Sequence, residues 1–449
     1  MSSSALYIQS LGTASAAGIG LAALRRTLFG EENCLMRPQT RLAPDPAQPY
    51  CCGILEAADP TDSTDRTQRL LDLCLAQMSE LKALLSRTEP TRVAVVLGAC
   101  TAGMHRIEEA MSERERTGAL PADFDVRRLN LFEPSRYVAE KIGALGPVYT
   151  LSNACASGLM APAAAADLLR ADLADVVVTG GCDGFCRFTN AGFCALSAVS
   201  PDRCRPFDAA RHGINLGEGG ALVAMTRQKD GALLALSGMG ETTDAHHLSA
   251  PDPEGIEASH AMRLALEEAQ LSAGDIDLVI AHGTGTPLND AMESKAVHAV
   301  FGPTVPCASF KALSGHTLAG AGALQAACAA ALLIDNPEGY LAPSANLDTI
   351  DPQLAAVDVV QTRRALGRPL NHVFEELKRV LVETFEIEPE RITPEARFYD
   401  DLDLDSIDAV DLLVKLRPFV GQKTISPNDF KQVRTIGDLT KVLEKIING

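Results

Sequence analysis

The segment "ADVVVTGGCDG" (residues 174–184) predicts a buried β-strand that ends in a glycine-rich turn. Its apolar run is nearly continuous, which is typical of strands covered on both faces of a sheet. Three further segments share this pattern: "RVAVVLGAC" (92–100), "GALVAM" (220–225) and "IDLVIAHGTGT" (276–286). Helical periodicity occurs at 156–170, 256–270 and 318–334. Alternation of such strands with helices predicts an α/β domain with layered sheets.

The composition is that of an acidic globular chain. With 449 residues, the chain is long enough for two or three domains, each with its own core. Its formal net charge of −18 makes nucleic acid and anionic membrane surfaces poor partners. No apolar stretch is long enough for a membrane span, and the N-terminal residues lack a secretory pattern. Twelve dispersed cysteines without disulfide or zinc spacing indicate reduced thiols in a cytoplasmic protein.

After Leu366 the pattern changes to helices alone. The predicted helical segments are 370–385, 407–414 and 436–446, together with the short segment "SPNDFKQ" (426–432). The pattern "TIGD" (435–438) is a capping motif for the last of these helices. We therefore expect a first domain at 1–366 and a small all-α four-helix bundle at 370–449. Only Gly367, Arg368 and Pro369 separate them.

The segment "YDDLDLDSIDAVDLL" (399–413) surrounds Ser406 with six aspartates. One interpretation is a solvated helix start, because carboxylates are favourable near the positive end of a helix dipole. A capping serine would fit the same position. The alternative is that the exposed hydroxyl of Ser406 has a chemical role, and the residues of the large domain bear on that choice.

Cys155 lies at a tight turn in "LSNACASGLM" (151–160), between a predicted strand and a predicted helix. A thiol at a helix N-terminus faces the positive dipole end, which favours the thiolate. The same turn offers backbone N–H groups to an oxyanion. The competing interpretation is a small core residue, the usual role of cysteine in alanine-rich sequence.

Two histidines and a lysine also follow predicted strands. In "AHGTGTPLNDAMESKA" (281–296), His282 precedes two glycines, Thr284 and Thr286, and Glu293 lies at a helix start. In "SFKALSGHTLAGAGALQ" (309–325), Lys311 and His316 precede a glycine-rich helix start. A reactive cysteine, two imidazoles and a lysine form the set that acyl transfer requires. No metal-ligand spacing is visible, so we expect no metal.

Several of these motifs together resemble the β-ketoacyl-acyl carrier protein synthases of the thiolase-like fold, over residues 5–366. The matching runs are "NACASGL", "RCRPFDAARHGINLGEGG" (203–220), "DAHHLSAPDPEG" (244–255), "HGTGTPLND", "KALSGHTLAGAGALQ" and "SANLD" (344–348). The resemblance implies a layered α-β-α-β-α domain. It is to the elongating, Cys-His-His type, since chain-starting synthases have asparagine where His316 stands.

The resemblance also implies a role for each site residue. Cys155 would be the nucleophile, and His282 and His316 would hold the thioester carbonyl and promote decarboxylation of malonyl. Lys311 and Glu293 would support the histidines electrostatically. The remaining pair, Thr284 and Thr286, would hydrogen-bond the pantetheine arm of the substrate.

The sequence departs from the family in two places. Pro162 lies in the helix behind Cys155 and should disturb it locally. Family members end in a strand, a Gly-Phe-Gly-Gly loop that donates the second oxyanion N–H, and a final strand. Here "AVDVVQTRRALGRP" (356–369) runs directly into the helical bundle. Loss of one oxyanion donor costs on the order of 10²–10³ in rate. Three explanations are open: the chain is a shortened or joined form, another chain supplies the loop, or the domain is impaired.

Residues 370–449 resemble an acyl carrier protein, with Asp405-Ser406-Ile407 at the family's attachment motif. The resemblance implies that a phosphopantetheinyl transferase attaches 4′-phosphopantetheine to Ser406. The acidic segment around Ser406 would then be a surface that basic patches of partner enzymes recognise.

We therefore expect decarboxylative Claisen condensation of an acyl thioester with malonyl-acyl carrier protein, in fatty-acid, polyketide or aryl polyene type biosynthesis. A homodimer, or a heterodimer with a second synthase-like subunit, is expected from the family. Two alternatives remain: a non-catalytic docking subunit with a functional carrier domain, and a thiolase or chain-starting synthase that uses coenzyme A substrates.

Overall fold

The computed structural model describes residues 5–40, 49–60, 64–247, 250–336, 338–366, 373–385, 387–388, 391–393, 396–402, 404, 408, 412, 415 and 433–448. The chain forms two compact units. The first unit comprises residues 1–334 and 341–364, and the second comprises residues 335–340 and 365–449. The change of sequence pattern near Leu366 therefore coincides with a change of structural unit.

Helices and strands alternate through the first unit. The helices are α1 Leu21–Leu28, α2 Arg66–Leu75, α3 Leu81–Ser86, α4 Met104–Thr117, α5 Glu133–Ile142, α6 Ser157–Arg170, α7 Arg187–Ala195, α8 Ile256–Ala269, α9 Pro287–Phe301, α10 Lys311–Ser314 and α11 Gly320–Leu333, followed in the second unit by α12 Val373–Phe385 and α13 Ile436–Asn448. The strands are β1 Leu6–Ser15, β2 Gly18–Ile19, β3 Met36–Gln39, β4 Tyr50–Gly53, β5 Val93–Gly98, β6 Val148–Leu151, β7 Val176–Asp183, β8 Gly219–Thr226, β9 Leu234–Leu236, β10 Val279–Ile280, β11 Pro306–Ala308, β12 Tyr340–Leu341, β13 Asp358–Val359 and β14 Arg364–Ala365.

The larger sheet is mixed, with strand order β2-β1-β8-β7-β5-β6 and with β9 paired to β1. Strand β5 is parallel to both β6 and β7, whereas β8 is antiparallel to β7 and to β1. Alternate residues such as Val93, Val95 and Leu97 pack in one cluster with side chains of α2 and α5. Helices α6 and α11 contact the same strands and each other. The sheet is therefore covered on both faces, as its apolar strands predict.

The smaller sheet is parallel, with order β10-β11-β13 and the pairs Val279↔Cys307 and Cys307↔Val359. Gln325 of α11 donates a hydrogen bond to the carbonyl oxygen of Ala281 at 2.6 Å, so α11 lies between the two sheets. Helix α9 contacts α8, and its Glu293 binds the loop that follows β10. These layers confirm the predicted α-β-α-β-α architecture. Within the described residues, the smaller sheet contains three short strands, consistent with the sequence's lack of a final hairpin.

Sequence periodicity located most elements correctly, with one overestimate. The strand predicted at the start of the segment 276–286 is short, because only Val279–Ile280 is extended and paired. The glycine-rich turn predicted at its end is present, with Gly283 and Gly285 at φ angles of 42° and 79°. Pro162 does not end α6, which continues to Arg170. Packing of α6 against β5, β7 and α11 accompanies this continuity.

The second unit has its own apolar core. Leu377 and Leu381 of α12 and Leu439 and Leu443 of α13 are fully buried in it. The predicted capping motif is present: Thr435 Oγ1 accepts the N–H of Asp438, and Asp438 accepts the N–H of Thr435, both at 3.1 Å. Ser406, most of 407–414 and all of 426–432 lie outside the described residues. Among the described residues, no helix combines the length and apolar character of a membrane span.

Candidate active site

Cys155 sits in a tight turn that immediately precedes α6. The hydroxyl of Ser157 accepts the N–H of Asn153 at 2.7 Å and donates to the carbonyl of Ala154 at 2.6 Å. These two hydrogen bonds close the turn and hold Ala154 at a φ of 47°, a left-handed conformation that costs energy for a residue with a side chain. The Cys100 thiol also donates to the Ala154 carbonyl, at 3.3 Å. The strained turn presents the half-buried Cys155 at the helix start.

His282 is positioned through its backbone by a buried carboxylate. Glu293 accepts the N–H of His282 at 2.6 Å and the N–H of Gly283 at 2.7 Å. The Ser309 hydroxyl donates to the Gly283 carbonyl at 2.8 Å. Glu293 therefore fixes the loop that carries the imidazole, a contact more specific than the electrostatic support expected from the sequence.

Lys311 determines which nitrogen of His282 carries the proton. Its Nζ lies 3.3 Å from His282 Nδ1, so the ammonium donates there and the ring N–H is placed on Nε2. Lys311 is buried, and burial lowers the pKa of its ammonium. Burial first, then the charge of Lys311 and then His316, hold the pKa of His282 well below its ordinary value. His282 is therefore a neutral N–H donor near neutral pH.

His316 reaches the same protonation state through a different partner. Its Nδ1 accepts the backbone N–H of Leu318 at 3.1 Å, which leaves the proton on Nε2. Burial first, and then the charge of Lys311, hold the pKa of His316 well below its ordinary value. Both imidazoles thus offer an N–H rather than a charge.

The three side chains converge on one point. The sulfur of Cys155 and one ring nitrogen of each histidine all lie within 4.8 Å of one another. The rings of His282 and His316 meet edge to face, with centroids 5.1 Å apart and planes at 83°. One thiol and two imidazoles could hold a divalent metal. A metal at His316 Nε2 would move the proton to Nδ1, where Leu318 already donates, so this donor set favours hydrogen bonding to an oxyanion.

Thr284 and Thr286 lie in the loop that follows His282. Their hydroxyl oxygens are 2.8 Å apart. Asp290 accepts the N–H of Gly285 at 3.2 Å and that of Phe207 at 2.8 Å, which fixes the loop between them. Six of the predicted residues therefore share one region with Cys155, whereas Ser406 lies outside the described residues.

Sequence reasoning missed three supporting residues. Gln325 bonds the carbonyl before His282, Ser309 bonds the carbonyl after it, and Asp183 binds loops near Cys155 and His316. Each is a polar side chain in an apolar segment, and that pattern was the available signal. Gln325 is the clearest case, because the rest of α11 contains no other strongly polar side chain.

Comparison with known proteins identifies three matching family models. Residues 55–231 match the model "Beta-ketoacyl synthase, N-terminal domain" and residues 233–348 match "Beta-ketoacyl synthase, C-terminal domain". Residues 375–443 match the model "Phosphopantetheine attachment site". The three matches lie in the order expected from the sequence motifs.

Individual relatives agree with these models. The chain is 36% identical to the putative polyketide beta-ketoacyl synthase 1 of Streptomyces halstedii, over 60% of this chain and 68% of that protein. It is 34% identical to nodulation protein E of Rhizobium sp. (strain N33), over 58% of this chain and 66% of the relative, slightly under two thirds.

A solved structure also superimposes on most of the chain. This is the ketosynthase ApeO from Xenorhabdus doucetiae, determined in complex with its chain length factor ApeC. The TM-score is 0.76 at 32% identity, over 82% of this chain and 93% of that chain.

Proposed function

Because the chain belongs to the β-ketoacyl synthase family and also contains a phosphopantetheine attachment domain, we propose that it catalyses decarboxylative Claisen condensation of carrier-bound acyl chains. The observation that carries this proposal is the convergence of Cys155, His282 and His316 within 4.8 Å. The proposed domain boundaries are 1–366 for the synthase and 370–449 for the carrier.

The first half of the reaction is transfer of an acyl group to Cys155. The thiolate attacks the carbonyl of an acyl thioester, a bond forms from the sulfur to the acyl carbon, and the carrier thiol leaves with a proton. Backbone N–H groups of the turn would stabilise the oxyanion that forms in this step. Thr284 and Thr286 would hydrogen-bond the pantetheine arm of the incoming substrate.

The second half depends on the two imidazoles. A malonyl thioester loses its carboxylate as CO₂, and the electron pair moves into an enolate whose oxygen accepts the Nε2–H groups of His282 and His316. The enolate carbon attacks the acyl carbonyl on Cys155, the carbon–sulfur bond breaks, and the thiolate is regenerated. Neutral imidazoles suit this step, because they donate hydrogen bonds without competing for the malonyl carboxylate.

The carrier domain would hold the chain through Ser406. A 4′-phosphopantetheine on this serine supplies the thiol that forms the acyl thioester, and a phosphopantetheinyl transferase would attach it. Ser406 lies outside the described residues, but Leu402, Leu404 and Leu412 on either side are buried in the core of the second unit. These leucines belong to a folded core, and Asp400 and Asp401 are exposed.

The proposed partners are carrier-bound acyl and malonyl thioesters and a second synthase-like subunit. The complex of ApeO with its chain length factor supports a heterodimer, and a homodimer is the alternative. Strand β6, which precedes Cys155, is at the edge of the larger sheet among the described residues, so its outer side is available for pairing with another subunit.

The test is intact mass spectrometry after treatment with a phosphopantetheinyl transferase and coenzyme A, then with acyl and malonyl donors. We expect one phosphopantetheine on the wild type and none on Ser406→Ala. Peptide mapping should then find an acyl group on the peptide that contains Cys155, and Cys155→Ala should carry an acyl group only on its phosphopantetheine. Cys194→Ser, which removes another half-buried thiol, is the matched control and should behave like the wild type.

The non-catalytic alternative predicts a different result. The missing glycine-rich loop favours it, and it would leave the carrier modified while Cys155 resists a chloroacryl or cerulenin-like probe. Labelling of Cys155 by such a probe therefore excludes a purely docking role. Preference for acyl-coenzyme A over acyl carrier in a competition assay would instead favour the chain-starting or thiolase alternative.

A further inference from the structure

Asp183 is a fully buried carboxylate at the end of β7, and it joins two loops of the candidate site. Its Oδ1 accepts the N–H of Cys100 at 3.0 Å and both the N–H and the hydroxyl of Thr101 at 2.9 Å. Its Oδ2 accepts the N–H of Ala319 at 2.9 Å. The N–H of Cys100 also lies 3.2 Å from Oδ2, so Oδ1 binds the loop of residues 100 and 101 alone, whereas Oδ2 is the oxygen that holds Ala319.

The loop bound by Oδ1 contacts the turn of the nucleophile. Cys100 donates its thiol hydrogen to the carbonyl of Ala154, whose φ of 47° sets the direction of the following Cys155. The same thiol lies 4.0 Å from the Ser157 hydroxyl that closes the turn. A movement of residues 100 and 101 would therefore shift Ala154 through its contact with Cys100, and Cys155 would move with Ala154.

The loop bound by Oδ2 holds His316. Ala319 follows Leu318, whose N–H donates to His316 Nδ1 and so selects the tautomer of that ring. Ala319 also immediately precedes α11, which begins at Gly320. A single carboxylate thus anchors the segment that carries the imidazole and the segment beside the thiol.

The strand that carries Asp183 is a rigid base for this function. Strand β7 lies inside the larger sheet, paired with β5 on one side and β8 on the other. An anchor on such a strand moves less than one on a loop, because its ladder hydrogen bonds are complete on both sides.

We propose that Asp183 is a positioning residue that sets the geometry between Cys155 and His316 by binding both loops at once, with Oδ2 as the oxygen that holds Ala319. The inference rests on the proposed condensation chemistry, in which both groups contact the same substrate. An asparagine cannot substitute, because it has one accepting oxygen and an NH₂ group that would oppose a backbone N–H. Three donors converge on Oδ1, so the amide oxygen of asparagine would occupy the Oδ1 position. Its NH₂ group would then occupy the Oδ2 position and displace the N–H of Ala319.

The test compares Asp183→Asn with Thr101→Val in the full-length holo protein. Three measurements are made: decarboxylation of malonyl-carrier, the alkylation rate of Cys155 by iodoacetamide, and amide hydrogen exchange of residues 316–320. In Asp183→Asn, decarboxylation should fall about 10- to 100-fold, the loss that a displacement of about 1 Å causes. The rate of amide hydrogen exchange at residues 318 and 319 should rise about tenfold. The alkylation rate of Cys155 should stay within about threefold of the wild-type rate.

Thr101→Val is the matched control because it removes one hydroxyl donor to Oδ1 and leaves the Oδ2 contact intact. All three measurements should stay within about threefold of wild type. Asp183→Asn with unchanged decarboxylation and exchange would overturn the proposal. The proposal would also be overturned if decarboxylation and alkylation fell equally, in proportion to the loss of folded protein. A wild type that releases no CO₂ would refute the proposed function instead, and the exchange comparison would still test Asp183.

Discussion

At the scale of single residues, the chemistry of the candidate site depends on where two protons reside. His282 is kept as an Nε2–H donor by an ammonium group, and His316 by a backbone N–H. The two partners differ in one respect: the backbone donor is permanent, whereas the ammonium of Lys311 can lose its proton. A neutral amine is a weaker hydrogen-bond donor than an ammonium, so in the proposed reaction the contribution of His282 is the one that is sensitive to pH.

Replacement of Lys311 by methionine tests this dependence. Met keeps the volume but cannot donate to His282 Nδ1, so the ring proton is no longer held on Nε2. Decarboxylation of malonyl-carrier should fall about 10- to 1000-fold, comparable to loss of one oxyanion donor. The control is Lys295→Met, which removes an exposed lysine paired with Glu254 and should keep wild-type activity.

The same substitution predicts a change in the pH profile. Burial holds the pKa of Lys311 below that of an ordinary lysine, so its ammonium is lost earlier as the pH rises. Wild-type decarboxylation should therefore decline through an alkaline limb, and Lys311→Met should lack that limb. An identical alkaline limb in both proteins would contradict the assignment.

At the scale of elements, the distance between Cys155 and His316 depends on how closely α6 approaches the start of α11. A Cβ atom at Gly158 would lie 2.2 Å from the carbonyl oxygen of Ala319 and 3.0 Å from the amide nitrogen of Ala323. Both neighbours are backbone atoms, so they cannot rotate away. Glycine at 158 therefore permits the approach that brings the two helix starts together.

Gly158→Ala should separate these helices. We expect the free energy of unfolding to fall by about 1–3 kcal/mol, as in other overpacked cores. The measurement is urea unfolding followed by circular dichroism, since the chain has no tryptophan. Gly192→Ala in α7 is the matched control: nothing lies within 4 Å of its Cβ position, so the change should be neutral or stabilising by up to about 1 kcal/mol. Equal changes in the free energy of unfolding for the two substitutions would contradict the claim that Gly158 permits the close approach of α6 and α11.

At the scale of the whole molecule, the question is which synthase the carrier domain serves. The sequence between the expected domains is only Gly367, Arg368 and Pro369, and three residues span at most about 10 Å. Such a short connection restricts the reach of Ser406. We therefore expect acyl transfer between protomers, or to other enzymes, at least as often as transfer within one chain.

Mixing two variants tests transfer between protomers. Cys155→Ala retains the carrier serine, and Ser406→Ala retains the nucleophile, so neither can transfer an acyl group to itself. Their mixture should acylate Cys155 of the second variant at a rate that rises with protein concentration. Each variant alone is the control. Transfer that is first order in wild type and absent from the mixture would show that each carrier serves its own chain.

The sequence by itself predicted the alternation of strands and helices, the change of unit near Leu366 and the family of the chain, and it named candidates for the reacting residues. Apolar runs without alternation predicted strands such as β5 and β7 closely, because burial on both faces leaves no polar positions. The capping motif at Thr435 could also be predicted, because its two hydrogen bonds join residues only three positions apart. Local patterns of this kind depend only on residues close in sequence.

Only the tertiary structure decided what holds the reacting residues in place. The contacts of Asp183 join residues 82 to 136 positions apart, and no local pattern encodes a pairing at that separation. The same holds for the tautomer of His282, which depends on Lys311, 29 residues away. The sequence therefore names candidates for the reacting groups, whereas their protonation and mutual distance follow from chain packing that brings remote donors and acceptors together.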